Sequence, residues 1–128
     1  MRIGFVTSNA HFHEAILEEL SRRGHEVLLY RHTEDPVQNA YQLGQLRAQA
    51  QRVFVDWVQP PLEQVLAHFD CPIFVRCHRI EMYSDAYIQA LDWERVSCLF
   101  FIAAHVRERF LPKLTRSPRR VESLDVGI

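Results

Sequence analysis

Six short apolar runs alternate along this chain with five segments whose apolar residues recur at helical spacing. The apolar runs, each a predicted strand, are Arg2–Thr7, Glu26–Tyr30, Arg52–Val58, Pro72–Cys77, Val96–Ala103 and Val121–Val126. The predicted helices are His13–Arg23, Val37–Gln51, Leu62–Phe69, Tyr87–Glu94 and His105–Leu114. Such alternation is typical of an α/β fold with a parallel sheet. We therefore predict a Rossmann-like three-layer sandwich, with a mostly parallel six-stranded sheet and helices on both faces.

Composition narrows the class of protein further. The chain has 128 residues, the size of one domain, and 48% of them are hydrophobic, which excludes a disordered segment. The net charge of −1 does not favour general nucleic-acid binding, and no apolar run reaches the length of a membrane span. The first residues lack the apolar core and cleavage site of a signal peptide. We expect a cytoplasmic single domain covering residues 1–128.

Strand order decides where such a sheet binds its ligand. Six strands are compatible with the order 3-2-1-4-5-6, and the fifth, the most apolar, is expected near the centre. Ligands bind beyond the carboxyl ends of the strands, at the point where the strand order reverses. In this order that point lies between strands 1 and 4, so the loops Thr7–His13 and Cys77–Asp85 should form the site.

These two loops hold the residues that we predict to form the site. They are Ser8, Asn9, His11, His13, His78, Arg79 and Glu81. Ser8, Asn9 and the first amides of helix 1 would receive an anion, and Arg79 would clamp a phosphate or carboxylate. His78 would exchange a hydrogen bond or a proton, with Glu81 orienting it or binding a hydroxyl.

Each of these residues also has a simpler interpretation. His11 and His13 are equally compatible with a solvated loop or a helix cap, Arg79 and Glu81 with a plain ion pair, and His78 with a core position. Three histidines would suffice in number for a metal site, but nothing in the sequence fixes their geometry, so no metal is predicted.

Several other chemistries lack their sequence signatures. The chain contains no GxGxxG after strand 1, no phosphate-binding GxxxxGK[ST] and no GxSxG. A receiver domain is excluded because Ser8 and Asn9 stand where it needs an acidic pair. Three cysteines without a CxxC motif favour buried free thiols over a disulfide scaffold or zinc ribbon; they are Cys71, Cys77 and Cys98.

The segment His105–Arg120 has a strong basic bias, with six bases against one acid, Glu108. Arg107, Arg109 and Lys113 are candidates for contact with anionic lipid head groups or a phosphorylated ligand. The alternative is an ordinary surface helix packed over the sheet.

The running order of the segments resembles a known family. In this order the chain resembles the N-terminal domain of GT-B retaining glycosyltransferases of family 4, the glycosyl transferases group 1. The segments that carry the resemblance are MRIGFVTS, HEAILEELSRRGHEVLLY, RVFVDWV, PIFVRCHRIEMYSD, VSCLFFIAAHVRERF and RVESLDVGI. The resemblance implies the acceptor-binding half of an enzyme that transfers a sugar from a nucleotide-sugar donor to a glycan or lipid-linked acceptor. It implies no cofactor in this chain. The donor would bind a second domain carrying an E-x7-E motif, in the same or a separate chain.

The resemblance also implies roles for particular residues. His78 matches the family's histidine after the fourth strand, which helps bind the donor sugar, and is the predicted catalytic residue. Ser8-Asn9-Ala10 stands where the family often has two glycines near the donor phosphates. The basic helix would provide peripheral contact with the inner membrane face, as in some members.

The resemblance leads us to expect that the isolated chain has no glycosyl transfer activity. It also makes a homodimer through the exposed cleft face one option. Two other hypotheses remain open at this point. One is a stand-alone α/β module that binds a small anion or a partner protein. The other is a different small α/β enzyme.

Overall fold

Each apolar run of the sequence forms a strand of one sheet. The structure, a computed structural model, describes residues 1–7, 14–56, 58, 60–77 and 85–123. The strands are β1 (Arg2–Thr7), β2 (Glu26–Arg31), β3 (Arg52–Asp56), β4 (Ile73–Cys77), β5 (Cys98–Phe101) and β6 (Val121–Ser123). The helices are α1 (Glu14–Arg22), α2 (Pro36–Gln49), α3 (Leu62–His68), α4 (Asp85–Ala90) and α5 (Ala104–Phe110). Single 3-10 turns cover Trp93–Arg95 and Leu111–Lys113.

Local sequence signals set the ends of the first two helices. Gly24 follows α1 with φ of +85°, a left-handed conformation that glycine adopts without steric cost. Its amide donates to the Ser21 carbonyl over 3.0 Å. At the start of α2, Asp35 accepts a hydrogen bond from the Val37 amide over 2.9 Å, and Pro36 occupies the first turn.

The sheet is parallel throughout, in the order β2-β1-β3-β4-β5-β6. The expected order 3-2-1-4-5-6 is therefore wrong. The connection through α2 carries the chain from β2 back across β1, so that β3 pairs with β1 and not with the outer side of β2. The expectation that the fifth strand is central is also wrong, because β5 lies next to the edge strand β6. The order reverses between β1 and β3.

One face of the sheet and four helices share a single hydrophobic core. Alternate strand residues such as Val53, Val75 and Leu99 are completely buried. They belong to one cluster with Leu43 and Leu46 of α2 and with the apolar residues of α3, α4 and α5. These helix residues are Leu62, Val65, Leu66, Ile88, Val106 and Phe110. The helices α2 to α5 therefore cover the same face.

Helix α1 covers the opposite face. A right-handed crossover from β1 to β2 runs in the opposite direction across the sheet from the other four, which places its helix on the other side. In agreement, the half-buried Leu17 and Leu20 of α1 do not pack against the core cluster. The three-layer α/β sandwich with helices on both faces is thus confirmed, with an uneven distribution of the helices.

Some elements are shorter than the periodicity predicts. Strand β5 covers Cys98–Phe101 within the predicted run Val96–Ala103. The helix predicted at Tyr87–Glu94 divides into α4 and the 3-10 turn Trp93–Arg95. Strand β6 covers Val121–Ser123, and residues 124–128 lie outside the described part of the chain.

Candidate functional site

The carboxyl ends of β1 and β3 carry buried polar side chains at the point where the strand order reverses. Thr7 ends β1 and is 3% exposed, and Asp56 ends β3 and is 1% exposed. The two strands are neighbours in register, with Val6 alongside Val55. Polar groups in a dry parallel sheet are costly unless they are hydrogen-bonded. Their position therefore marks this edge as the polar end of an otherwise apolar sheet.

Asp56 forms an ion pair with the next strand. Nε of Arg76 in β4 donates to Oδ1 of Asp56 over 2.7 Å, and the two residues are directly paired in the sheet. Their side chains are 15% and 0% exposed. The Arg76 guanidinium carbon also lies 6.0 Å from the centroid of the Phe54 ring, within cation–π range. The pair fixes a cation and an anion at the carboxyl ends of β3 and β4, and His78 directly follows β4 in the sequence.

A second polar pair lies beside β1 on the other side. The Tyr30 hydroxyl and Nδ1 of His32 are 2.8 Å apart, and Tyr30 is completely buried. Burial, with a smaller contribution from the Glu63 carboxylate, raises the pKa of Tyr30 to about 12. The phenol is therefore neutral at physiological pH, and it holds the His32 ring in a fixed orientation.

An open depression of about 630 Å³ lies where β2 ends and α2 begins. Its polar lining includes His32, Glu34 and Gln64. Two further lining residues bond each other, since Asn39 Oδ1 accepts from the Thr33 amide and hydroxyl, both over 2.9 Å. Its size is that of a small-molecule site. Our sequence reasoning missed it, although the polar run His32-Thr33-Glu34-Asp35 directly after a strand was an available signal.

Most of the predicted site residues lie outside the described part of the chain. They are Ser8, Asn9, His11, His13, His78, Arg79 and Glu81. The structure does locate the strands that precede them, since Thr7 and Cys77 end β1 and β4. The two parallel strands are separated only by β3, so Thr7 and Cys77 lie at the same edge of the sheet. The predicted reversal between strands 1 and 4 is corrected to β1 and β3.

The apolar side chains of the basic segment His105–Arg120 pack into the hydrophobic core. Val106 and Phe110 of α5 are buried, and Phe110 makes an edge contact with Trp93, with ring centroids 5.7 Å apart. The apolar side of α5 is therefore not available to insert into a membrane. No described helix has the length and apolarity that a bilayer crossing requires.

The three basic candidates lie on this segment in different settings. Arg107 donates to the Ser123 hydroxyl over 2.7 Å, and Lys113 pairs with Asp85 over 2.8 Å. Arg109 is exposed. Further along, Arg116 and Arg120 face Asp92 and Glu122. Carboxylates outside the segment, two of them more than 20 residues from their partners, therefore offset much of the local positive charge.

The cysteines are free thiols, as predicted. Cys77 and Cys98 are buried and Cys71 is half-buried. Burial raises the pKa of the Cys71 and Cys98 thiols, so both are protonated near neutral pH and behave as small apolar side chains. Within the part of the chain that the structure describes, no three His, Cys, Asp or Glu side chains are grouped to hold a metal ion.

Comparison with protein-family models, with curated proteins and with solved structures gives no match to this chain. The fold class therefore rests on the observed sheet and helices. The chemistry of the site rests on residue types and on their position at the strand ends.

Proposed function

We propose that this chain is the acceptor-binding domain of a retaining glycosyltransferase of GT-B architecture. The transferred sugar would come from a nucleotide-sugar donor held by a second domain, and the acceptor would be a glycan or a lipid-linked sugar. Two lines of reasoning support the proposal. One is the resemblance in the running order of the segments, and the other is the Rossmann-like fold with its polar carboxyl edge.

A single observation carries the proposal. The strands β1 and β4 end at one edge with only β3 between them. Neighbouring strands are spaced about 4.8 Å apart, so the loops that continue from Thr7 and Cys77 begin about 10 Å apart. This separation of the two strand ends is within the span of one sugar diphosphate. The buried Asp56–Arg76 pair stiffens the edge between them.

The proposal assigns each loop a task. His78 contacts the donor sugar at the cleft and stabilises the charge that develops as the glycosidic bond to the diphosphate breaks. Arg79 and the amides near Ser8 and Asn9 hold phosphate oxygens, and Glu81 orients His78 or binds a sugar hydroxyl. His11 and His13 lie on the same loop as Ser8 and are assigned to the acceptor side.

A transfer assay tests the proposal on the protein as its source cells produce it, with its second domain present in the same or a separate chain. We expect transfer from one of a panel of nucleoside diphosphate sugars to a lipid-linked or free sugar acceptor. His78→Ala should lower the rate by about a hundredfold, the usual effect of removing one group that stabilises a transition state. His105→Ala, which alters an exposed histidine of α5, is the matched control and should leave the rate unchanged.

Two results would contradict the proposal. One is an absence of transfer with every donor in the panel. The other is a rate that His78→Ala leaves at the level of the His105→Ala control.

A further inference from the structure

Helix α2 carries a second apolar stripe on the side that faces solvent. Its inner stripe, Leu43 and Leu46, is buried in the core. The outer stripe has four exposed residues at alternating four- and three-residue spacing, which keeps them on one side of a helix. Among the large apolar side chains that the structure describes, the two in this stripe are the most exposed, at 79% and 69%. These residues, the outer α2 stripe, are Val37, Tyr41, Gly44 and Ala48.

The composition of α2 favours contact with protein over contact with water. A surface helix usually carries charged residues on its solvent side. Arg47 is the one charged residue among the fourteen of α2, and the neutral side chains of Gln38 and Gln45 border the outer α2 stripe. Exposed apolar side chains with a polar border are typical of an interaction site.

The outer α2 stripe is complementary to a second copy of itself in the antiparallel orientation. Its two large side chains lie before the midpoint of α2 and its two small residues lie after it, at equal distances. A twofold axis at the midpoint would pair Val37 with Ala48 and Tyr41 with Gly44, so that each large side chain meets a small residue. A parallel pair would instead place the two Tyr41 rings against each other and leave a gap between the glycines.

The surface beside Gly44 has room for the tyrosine ring. A Cβ atom built on Gly44 has no atom within 4 Å, so the space above this turn of the helix is open. In the antiparallel pair, the Tyr41 ring of one copy packs over Gly44 of the other, as a side chain fits a hole between helices.

Charges at the two ends of α2 also match in this orientation. Glu34 precedes α2, Arg47 lies in its last turn, and both are exposed. Each lines a depression that Ala40 and Gln64 also line, so both lie on the α3 side of the outer α2 stripe. Like sides of two antiparallel helices face each other, which brings Arg47 of one copy within about 6 Å of Glu34 of the other along the helix axis. Within the described part of the chain, neither side chain has an ion-pair partner.

We propose that this chain forms a symmetric antiparallel dimer through the outer α2 stripe. Each Tyr41 packs on Gly44 of the other copy, and Arg47 lies beside Glu34 at both ends. Two helices of about four turns bury less surface than a standard interface of about 1,600 Å², so the dimer is weak, with a Kd of about 10–100 μM. The inference does not rest on the proposed glycosyl transfer, and it uses the solvent side of α2 and not the carboxyl edge of the sheet.

Sedimentation velocity over a range of chain concentrations, from about 1 to 500 μM, tests the proposal. We expect the dimer fraction to rise with concentration. Gly44→Gln fills the space that receives the tyrosine ring and should raise the Kd about tenfold or more. Glutamine is a better helix former than glycine, so the thermal midpoint at about 1 μM, where the chain is monomeric, should not fall. Ala67→Gln, the matched addition at an exposed position of α3, should dimerise like the unsubstituted chain.

A charge exchange tests the orientation of the two copies. Glu34→Arg and Arg47→Glu each place like charges together in the antiparallel dimer, so each should raise the Kd severalfold. Glu34→Arg/Arg47→Glu restores opposite charges and should restore the Kd. A parallel pair would show no such rescue, because identical residues would meet in every variant.

Three results would overturn the inference. One is a chain that stays monomeric over the whole concentration range. Another is a Kd that is equal for Gly44→Gln and the Ala67→Gln control. The third is a double charge exchange that dimerises no better than the two single variants.

Discussion

Arg76 and Asp56 pair over 2.7 Å across two neighbouring strands, at the carboxyl edge of the sheet. The carboxylate is 0% exposed, and the guanidinium is a charged partner that offsets the cost of burying it. We expect Arg76→Met to lower the free energy of unfolding by about 3 kcal/mol, because it leaves a buried charge without this partner. Asp56→Asn combined with Arg76→Met should cost less than the sum of the single changes. Urea denaturation of the four proteins measures this coupling.

An exposed ion pair provides the matched control for that cycle. Arg120→Met removes a partner of Glu122 at the surface, where the side chains are 71% and 38% exposed. It should change stability by less than about 1 kcal/mol. If Arg76→Met and Arg120→Met lower the free energy of unfolding equally, the buried pair does not stabilise the fold more than the exposed pair.

Gly4 of β1 lies close to the carboxyl end of α2. A Cβ at this position would lie 3.1 Å from Leu46 Cδ2 and 3.3 Å from Ala50 Cβ. Gly4→Ala should therefore destabilise the fold by about 1–3 kcal/mol through overpacking. Gly44→Ala, within α2 and with no atom within 4 Å, should instead stabilise it by about 0.5–1 kcal/mol. Thermal denaturation of both variants checks the opposite signs, and two changes of the same sign would refute the packing argument.

The raised pKa of the buried Tyr30 leads us to expect that the fold loses stability in alkaline solution. Its folded pKa is about 12, because burial disfavours the phenolate, whereas an unfolded tyrosine ionises near about 10. The stabilising contribution is complete below about pH 10 and is lost as the pH rises towards 12, with a slope of about 1.4 kcal/mol per pH unit. Tyr30→Phe should remove this part of the decline, and Tyr41→Phe, at an exposed position, should not. Denaturant titrations at several alkaline pH values measure it, and parallel curves for both variants would contradict the assignment.

Arg79 gives a prediction for the proposed site. Arg79→Ala should weaken the binding of pyrophosphate by the equivalent of about 1.5–3 kcal/mol, the range for a hydrogen bond to a charged group. Arg47→Ala removes an exposed arginine of α2 and should leave that affinity unchanged. Isothermal titration with pyrophosphate provides the comparison. An affinity that does not change in Arg79→Ala removes this residue from the site.

The sequence predicted the elements better than their arrangement. Apolar runs such as Pro72–Cys77 located the strands, here β4 at Ile73–Cys77, because burial requires apolar side chains whichever strand lies beside them. The neighbour of each strand depends on where the crossover helices pack, and periodicity carries no information on that choice. The assumed order was therefore wrong, and so was the central position given to β5.

The strand ends beside the proposed site were predicted, but the ion pair between β3 and β4 was not, for a similar physical reason. The strand ends at Thr7 and Cys77 were recognised, because a strand followed by polar residues is visible locally. The Asp56–Arg76 pair was missed because its partners are 20 residues apart and meet only through sheet register. The count of basic residues in His105–Arg120 overstated the local positive charge. Carboxylates from outside the segment, such as Asp85 and Asp92, approach these residues only in the folded chain.

The central claim is that this domain works together with a donor-binding domain. The most direct measurement is the mass of the native protein from its source cells, first intact and then as a complex under native conditions. The account predicts the mass of two domains, in one chain or in a complex of two. A lone species near 15.1 kDa, with no partner and no transfer activity, would contradict it.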